Sequence, residues 1–246
     1  MKSIVRVARS CLPLAILCAI AAIASGSGYR MGWWSLGWGF RILEWAAYVA
    51  IVATALAIAG LVAARRDERR KGLARAIIAL LVGIATFGIP GMMFVKAKQL
   101  PGIHDITTDT ADPPKFVAVL PLRAGANARN STEYGGPAIA AQQQRAYPAI
   151  VPFESKQSPS DAFARALDVA RAMGWDIVAA VPAEGRIEAS DTTLLFGFKD
   201  GIVIRVAGTA QGSRVDVRSE SRIGGSDVGK NASRIAQFLD RMAKSS

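Results

Sequence analysis

Long apolar runs dominate the first 95 residues of the chain. Ala46–Ala64 and Ala76–Val95 each continue for about 20 residues without a charge, which is the length needed to cross a hydrocarbon layer of about 30 Å. A shorter apolar run, Cys11–Ala24, precedes them. It fits either a first transmembrane helix or the apolar core of a signal peptide with an A-x-A cleavage sequence at 22–24. The pattern therefore predicts a membrane region over residues 1–95 with two or three transmembrane helices.

Apolar and polar positions alternate in most segments after residue 114, which predicts β-strands. The predicted strands are 115–121, 175–181, 186–192, 201–207 and 213–221. An apolar face opposite a charged face is typical of an antiparallel sheet that is covered on one side only. We expect the charged face to form cross-strand ion pairs in contact with solvent, or to be a contact surface for another protein. The side chains of this face are Arg186, Glu188, Arg205, Arg214, Asp216, Arg218 and Glu220.

Helical signals flank the strands. Ser158 is a predicted N-cap, followed by Pro159 at the first helical position and Asp161 two residues later, and Gly174 is the predicted C-cap. The segment "PAIAAQQQRAYP" predicts one or two helical turns before Pro148. A final helix carries an apolar stripe and an opposite, basic face. The stripe consists of Val228, Ala232, Ile235, Leu239 and Met242, and the basic face of Lys230, Arg234, Gln237, Arg241 and Lys244.

The order of these elements predicts an α+β fold. We expect N-terminal transmembrane helices, then a two-layer α/β sandwich with a mainly antiparallel sheet of about four strands and flanking helices. Residues 96–114 are polar and rich in turn-forming residues, which predicts a linker before a domain at 115–246. Between the second and third strands of the final four, Phe196 and Phe198 are expected to be core or lid residues.

The distribution of charge predicts the topology. Residues 1–95 carry eleven basic and three acidic side chains, a net charge of +8, whereas the rest of the chain carries only +3. Five basic residues lie in the loop 65–71 and three more near the N-terminus, so both are expected in the cytoplasm. The predicted location is therefore the inner (plasma) membrane, multi-pass, with a periplasmic C-terminal domain. Because that domain is only weakly basic, a nucleic-acid partner is not expected.

A tryptophan-rich stretch, 28–40, follows the first apolar run. Trp33, Trp34 and Trp38 lie close together beside Tyr29 and Phe40. Tryptophan prefers the headgroup region, so these three residues are the predicted membrane-interface positions. An aromatic substrate groove is the alternative interpretation.

The residue types needed for most catalytic or metal sites are scarce. The chain has one histidine, His104, within the predicted linker, and both cysteines lie in the first apolar run. This composition does not support a zinc cluster or a Ser-His-Asp triad. We therefore predict no catalytic residues, no metal and no cofactor. Glu184, Glu188 and Asp191 are carboxylates that an acid/base pair could use, but their spacing does not single them out.

The segment "GGSDVGKN", residues 224–231, is one residue away from the phosphate-binding loop G-x-x-x-x-G-K-[ST]. Asn231 replaces the metal-binding hydroxyl, and the preceding strands are expected to be antiparallel, so no nucleotide is predicted. The structural interpretation is a turn in which Ser226 or Asp227 caps the last helix. A small anion site at the helix N-terminus is the alternative. Its residues would be Arg218, Arg222, Ser226 and Lys230.

Several motifs occur together over residues 101–243: "FVAVLPL", "MGW", "EGRIEASDTT", "FGFKDGIVIRV" and "VDVRSESRIGGSDVGKNASRI". In this order they resemble the bacterial and plastid family known as domain of unknown function 1499. Gly201 departs from the family pattern, which has a second acidic residue at this position. The resemblance implies a domain that is often joined to membrane helices, and it implies no activity.

These observations predict an integral membrane protein that presents a small, non-enzymatic binding domain outside the cytoplasm. The expected partners are membrane lipids, contacted through the basic face of the last helix, and an envelope protein. The alternative is an envelope enzyme or binding protein that acts on a small anionic ligand at residues 218–230.

Overall fold

A computed structural model describes residues 2–65, 72–124 and 128–244. The chain forms two compact units. The first consists of Met1–Lys96 together with Leu194–Gly197, and the second of Ala97–Thr193 together with Phe198–Ser246. Most of the loop 65–71, on which the predicted orientation rests, lies outside the described residues.

The first unit is built from three long helices: α1 (Lys2–Arg30), α2 (Leu36–Arg65) and α3 (Leu73–Gln99). Each contains a span long and apolar enough to cross a membrane, over Ser10–Arg30, Leu36–Val62 and Leu73–Gln99. Small buried side chains let the helix backbones approach closely. These residues are Cys11, Ala15, Ala53, Ala57 and Ala79. These three helices support an association with a membrane, and the first apolar run of the sequence belongs to a helix of spanning length.

The second unit contains a six-stranded, fully antiparallel sheet with the strand order β1-β6-β5-β4-β3, in which β2 also pairs with β6. The strands are β1 (Asp105–Thr107), β2 (Phe153–Ser155), β3 (Asp176–Val181), β4 (Arg186–Thr192), β5 (Lys199–Thr209) and β6 (Gly212–Ser221). The helices are α4 (Leu120–Ala124), α5 (Gly136–Ala146), α6 (Pro159–Ala172) and α7 (Lys230–Lys244), and a 3₁₀ turn spans Pro182–Glu184. The predicted α+β class is confirmed, with six strands in place of about four.

Helices α6 and α7 cover the apolar face of the sheet, as the sequence predicts. Ile187, Ile202 and Ile204 of the sheet are fully buried, and Trp175 stacks on Phe238 of α7 with ring centroids 5.5 Å apart. Burying an aliphatic or aromatic side chain of this size contributes about 1.5–3 kcal/mol. This layer is therefore the main source of stability in the second unit.

The local signals for α6 are also confirmed. The Ser158 hydroxyl accepts the backbone N–H of Asp161 at 3.2 Å and donates to its carboxylate at 2.7 Å. Gly174, with φ +75°, lies just after the helix in the left-handed conformation that favours glycine. These interactions span only a few residues, so the sequence alone specifies them.

Three segments differ from the expectations. The predicted strand 115–121 is not formed: residues 115–119 are irregular, and Leu120 and Pro121 begin α4. The predicted linker contributes β1, which pairs with Glu220, Ser219 and Arg218 of β6. Alternation along β3 is broken by an irregularity in pairing between Ile177 and Ala179. Contacts between residues far apart in the sequence accompany the first two differences, since β1 pairs with β6 and the N–H groups of 117–119 donate to Glu188.

Most of the charged face of the sheet is covered, which corrects the prediction of a solvated face, although the cross-strand pair Arg205–Asp216 forms as expected and Arg205 and Arg214 stay partly exposed. Glu188 and Glu220 are 0% exposed, and Asp216 and Arg218 are also buried. Their partners are largely in residues 105–132, among them Asp105, Thr108, Arg123 and the backbone N–H groups of 117–119. The sheet is therefore covered on both sides, by helices on one and by an irregular segment on the other.

Candidate functional site: the covered charged face

Arg218 is at the centre of the covered face. Its Nε donates to Oδ1 of Asp105 at 2.9 Å, and one Nη donates to Oδ2 at 2.7 Å. The remaining N–H groups donate to the carbonyl oxygens of Pro114 at 3.1 Å and Thr132 at 2.6 Å. The guanidinium also lies 5.0 Å from the ring of Phe116 and 5.7 Å from that of Tyr134. Such bidentate and cation–π contacts hold a buried arginine in one orientation.

This environment changes the pKa of Tyr134. Burial and the nearby Asp105 carboxylate raise the pKa of Tyr134 to about 12, although the Arg218 charge opposes the rise. Its phenol therefore remains neutral over the physiological range. Its contact with Arg218 is that of a neutral aromatic ring.

Glu188 of β4 binds the backbone of the segment that covers the charged face, residues 105–132, which we call the covering segment. Its two carboxylate oxygens accept the backbone N–H groups of Val117, Ala118 and Val119 at 3.0, 2.8 and 3.0 Å. Arg186 pairs with the same carboxylate and with that of Glu184. Hydrogen bonds to a charged acceptor are roughly twice as strong as neutral ones. This interaction replaces the strand pairing that the alternation in 115–121 predicts.

A second network lies at the middle of β5 and β6. Arg205 donates to Asp109, Asp112 and Asp216 at 2.7–3.0 Å, and Arg214 donates to Asp109 and Asp216. Burial alone would raise the pKa of Asp109, but backbone N–H groups and these two arginines lower it below its usual range. The Asp109 carboxylate is therefore held in its charged form.

Another cluster of charged residues joins α4 to the end of β6. Arg123 makes a buried, two-bonded ion pair with Glu220, and it also donates to the carbonyl oxygen of Asn130 at 2.7 Å. Burial raises the pKa of Glu220 to about 7, and the Arg123 guanidinium opposes that rise. Arg222 lies nearby, and burial and the charge of Arg123 lower its pKa.

The four residues of the predicted anion site are engaged with different partners. Arg218 is paired with Asp105, while Arg222 donates to the Leu122 carbonyl at 3.3 Å and to the Ser190 hydroxyl at 3.1 Å. The Ser226 hydroxyl accepts the N–H of Val228 at 3.2 Å. Lys230 is exposed at the start of α7. The structure therefore places Lys230 at the helix N-terminus, while Arg218 and Arg222 are bound to other partners.

The N-terminus of α7 is already occupied by a carboxylate of the chain. Asp227 accepts the N–H of Gly229 at 2.8 Å and that of Asn231 at 2.6 Å. Asn231 itself is buried, donates to the His104 carbonyl and the Ser221 hydroxyl, and accepts from Ser219 and Arg234. The capping interpretation of "GGSDVGKN" is confirmed, with Asp227 as the residue that caps the helix.

The predicted basic face of α7 is also smaller than expected. Arg234 is 3% exposed and pairs with Asp191 and Asp200 at 2.6 and 2.7 Å. Burial raises the pKa of Asp200, while Arg234 opposes the rise. Arg234 therefore belongs to the interior, and Lys230, Arg241 and Lys244 are the basic side chains of α7 that remain exposed.

A groove remains at the edge of the covered face. It has a volume of about 350 Å³ and is lined by Asp112–Lys115, Val117, Glu184, Arg186, Val203 and Arg205. Its arginines pair with carboxylates of the same groove or of its floor. The volume suits a small ligand or an inserted side chain.

Exposed apolar side chains lie in the same segment that forms the groove. Val117, Leu120 and Leu122 are 52%, 41% and 51% exposed, and the Glu188 clamp fixes the backbone beside them. Neighbouring exposed apolar side chains of this size are typical of a docking surface. Among the described residues no group of three or more His, Cys, Asp or Glu side chains could hold a metal ion.

The predicted interface tryptophans lie in the first unit. Trp33 and Trp34 are in the turn between α1 and α2, with their rings 6.0 Å apart and nearly perpendicular. The Trp34 N–H donates to the Ser25 carbonyl at 2.9 Å, and Trp38 is exposed in the first turn of α2. Phe196, predicted as a core or lid residue, lies in the same unit with its ring 5.1 Å from that of Phe40.

The sequence analysis did not predict that residues 105–132 pair with the charged face of the sheet. Asp105, Asp109, Asp112 and Arg123 each pair with the sheet, although their partners are about a hundred residues away in the chain. The available signal was complementary charge, since the three aspartates of a short segment could pair with the four arginines of the predicted charged face.

Comparison with known proteins agrees with this structural unit. The family described as "Protein of unknown function (DUF1499)" matches residues 105–242, which begins at β1 and ends within α7. The suspected resemblance is thereby confirmed. No curated protein is similar enough to count as a match.

Proposed function

The chain belongs to the DUF1499 family, and from this premise we propose that it is an inner-membrane protein with a non-enzymatic docking domain outside the cytoplasm. The partner is another protein of the cell envelope. The contact site is the groove together with the exposed Val117, Leu120 and Leu122, which we call the docking surface.

The observation that carries the proposal is the exposure of these three apolar side chains on a backbone that Glu188 holds in place. A preformed apolar surface binds without a large ordering cost. The exposed charged side chains beside it include Asp112 and Glu184, which are acidic. Both carboxylates pair with arginines of the groove, so Lys115 is the groove cation without an ion-pair partner among the described residues. One cation attracts anionic lipids only weakly, so the surface fits a protein better than a membrane.

The charged groups of the groove argue for binding rather than catalysis. A general acid or base needs a side chain that can reach a substrate proton. Glu188 is saturated by three backbone N–H groups and Arg186, while Arg205 is shared among three aspartates. These side chains hold the surface in shape. No comparable observation favours the alternative of an anionic ligand at 218–230, since Asp227 occupies the helix N-terminus.

A photo-crosslinking experiment in native membranes tests the docking surface. A photoreactive amino acid replaces Val117 or Leu122 in the full-length chain, and Val151, which is 54% exposed, is the matched control. We expect one discrete adduct from both surface positions and none from Val151, and Val117→Asp should abolish the adduct at Leu122. Equal adducts at all three positions, or none at the two surface positions, would contradict the proposal.

The proposed orientation is tested separately by cysteine labelling. Cys11 and Cys18 are replaced by serine, and a single cysteine is introduced at Asp168, an exposed residue of α6. A membrane-impermeant maleimide should label this cysteine in intact spheroplasts, whereas a cysteine at Arg69 should react only after lysis. The reverse pattern would place the domain in the cytoplasm.

A further inference from the structure

A groove between α1 and α2 has the shape and charge of a lipid site. It is lined by one face of Leu14–Ala21 on α1 and one face of Trp38–Val49 on α2, and its volume is about 480 Å³. The lining is apolar except for Arg41, its one charged side chain. The two helices are joined by the short turn 31–35, so they run antiparallel and the groove follows both.

The length of the groove matches one leaflet of a bilayer. Trp38 and Val49 are eleven residues apart on α2, which corresponds to about 16 Å along a helix. Half of a hydrocarbon layer of about 30 Å is about 15 Å. The groove therefore extends from the tryptophan-rich end of the helices to about the middle of the membrane, the depth of one acyl chain.

Arg41 lies near the interfacial end of the groove, where a headgroup would be. Its guanidinium lies 5.3 Å from the Trp38 ring, which fixes its position. Among the described residues no carboxylate lies within ion-pair distance of Arg41. Glu44, one turn further along α2, accepts the Tyr48 hydroxyl at 3.0 Å.

Chemical complementarity identifies the occupant. A guanidinium binds a phosphate through two parallel hydrogen bonds, and the apolar wall below it suits an acyl chain. A zwitterionic headgroup carries its own cation, which would face Arg41 and weaken the attraction. We propose that the α1–α2 groove binds one anionic phospholipid of the leaflet at the tryptophan-rich end, with its phosphate on Arg41 and one acyl chain along the groove.

Native mass spectrometry of the full-length protein in detergent micelles tests this site. Dioleoyl phosphatidylglycerol and dioleoyl phosphatidylcholine are titrated in parallel, and inorganic phosphate is added as a competitor. We expect one tightly bound phosphatidylglycerol per chain, weaker binding of phosphatidylcholine, and no competition by millimolar phosphate. Competition by phosphate would mean that Arg41 binds the free anion and that the acyl groove contributes nothing.

Matched arginine variants separate the site from general attraction between basic residues and acidic lipids. Arg41→Gln should weaken phosphatidylglycerol binding by about tenfold. Arg75→Gln, at an exposed arginine near the start of α3, should change it less than twofold. Arg41→Lys keeps the charge but loses the two-bonded geometry, and should give an intermediate value.

A second variant addresses the acyl chain. Ala21→Leu narrows the groove without touching Arg41, and it should weaken the binding of both lipids. Circular dichroism and gel filtration establish that each variant keeps its helices and its size. Equal affinity for the two lipids, or equal losses from Arg41→Gln and Arg75→Gln, would overturn the proposal.

Discussion

Arg218 on β6 and Asp105 on β1 form a two-bonded ion pair inside the second unit, with N–O distances of 2.9 and 2.7 Å. The pair does more than join two strands. Because Arg218 also binds the carbonyl oxygens of Pro114 and Thr132, it fixes two distant points of the covering segment to the sheet. Phe116 and Tyr134 then shield the guanidinium from water.

Removing Arg218 should therefore destabilise the whole second unit. Arg218→Ala leaves the Asp105 carboxylate buried without a partner, a situation that costs about 3–5 kcal/mol. Arg218→Lys should cost less, because it keeps the positive charge, although it loses the two-bonded geometry of the guanidinium. The free energy of unfolding, measured by hydrogen exchange of β1 and β6 in the full-length protein, checks both values. Arg214→Ala is the control, since its side chain is 35% exposed; a loss as large as that of Arg218→Ala would contradict the central role of Arg218.

Glu188 offers a second test, because it holds the docking surface without forming part of its exposed area. Glu188→Gln removes the charge and places an amide N–H₂ group against backbone N–H donors and Arg186. We expect residues 115–122 to exchange their amide hydrogens at least tenfold faster, while β5 and β6 remain protected.

Glu184→Gln is the matched control for this change. Glu184 also pairs with Arg186, but its side chain is 57% exposed and accepts no backbone N–H of the covering segment. Its substitution should leave exchange in 115–122 within twofold of the wild type. Similar exchange in both variants would show that the segment is held by its apolar contacts and not by Glu188.

The parts of the fold that the sequence predicts correctly are those with local causes. The Ser158 cap, Gly174 after α6, most of the apolar stripe of α7 and the alternation in β4–β6 each depend on residues a few positions apart. In the stripe, Val228 lies before α7, and the buried Phe238 was not predicted. Two of the three helices that are long and apolar enough to span a membrane follow from length and hydropathy alone, and for the third, α1, these left a signal peptide as the alternative. In these cases the local conformational propensity and the burial of apolar side chains favour the same structure, so the sequence pattern is sufficient to predict it.

The covered charged face could not be derived in this way. Alternating polar residues normally indicate a face in water, and the sequence does not show that Asp105 and Arg123 arrive from about a hundred positions away to pair with β6. The same long-range pairing explains why residues 115–121 are not a strand. Their N–H groups bind a side chain, Glu188, rather than another backbone.

The cap of α7 gives a third prediction, which also tests the proposed absence of an anion site. Asp227→Ala exposes the N–H groups of Gly229 and Asn231 and should cost about 1 kcal/mol. Lys230→Ala, at an exposed position, should change stability by less than about 0.5 kcal/mol.

Thermal unfolding of the full-length protein with and without 10 mM phosphate measures both effects. Phosphate would support the anion-site alternative at residues 218–230 if it stabilised the wild type and not Lys230→Ala. We expect no phosphate-dependent difference between the wild type and Lys230→Ala, because the Asp227 carboxylate already occupies the place of the anion.

Glu220 makes the stability of the second unit dependent on pH. Burial raises its pKa to about 7 in the folded chain, above the usual value of 4.5. The folded state therefore binds more protons than the unfolded state between these two values, and stability falls as the pH rises from about 4.5 to about 7. At full separation of the two pKa values the loss is about 3 kcal/mol, and the pKa of about 7 already includes the opposing effect of the Arg123 ion pair.

Glu220→Gln separates this contribution from those of other titrating groups, because glutamine imitates the protonated carboxyl group at every pH. The free energy of unfolding of the wild type, minus that of Glu220→Gln, should decrease between pH 5 and pH 8 and be constant above pH 8. A difference that increases with pH would show that the Arg123 ion pair outweighs the cost of burying the charge. In that case the charged pair would stabilise the junction of α4 and β6, and acidification would loosen it.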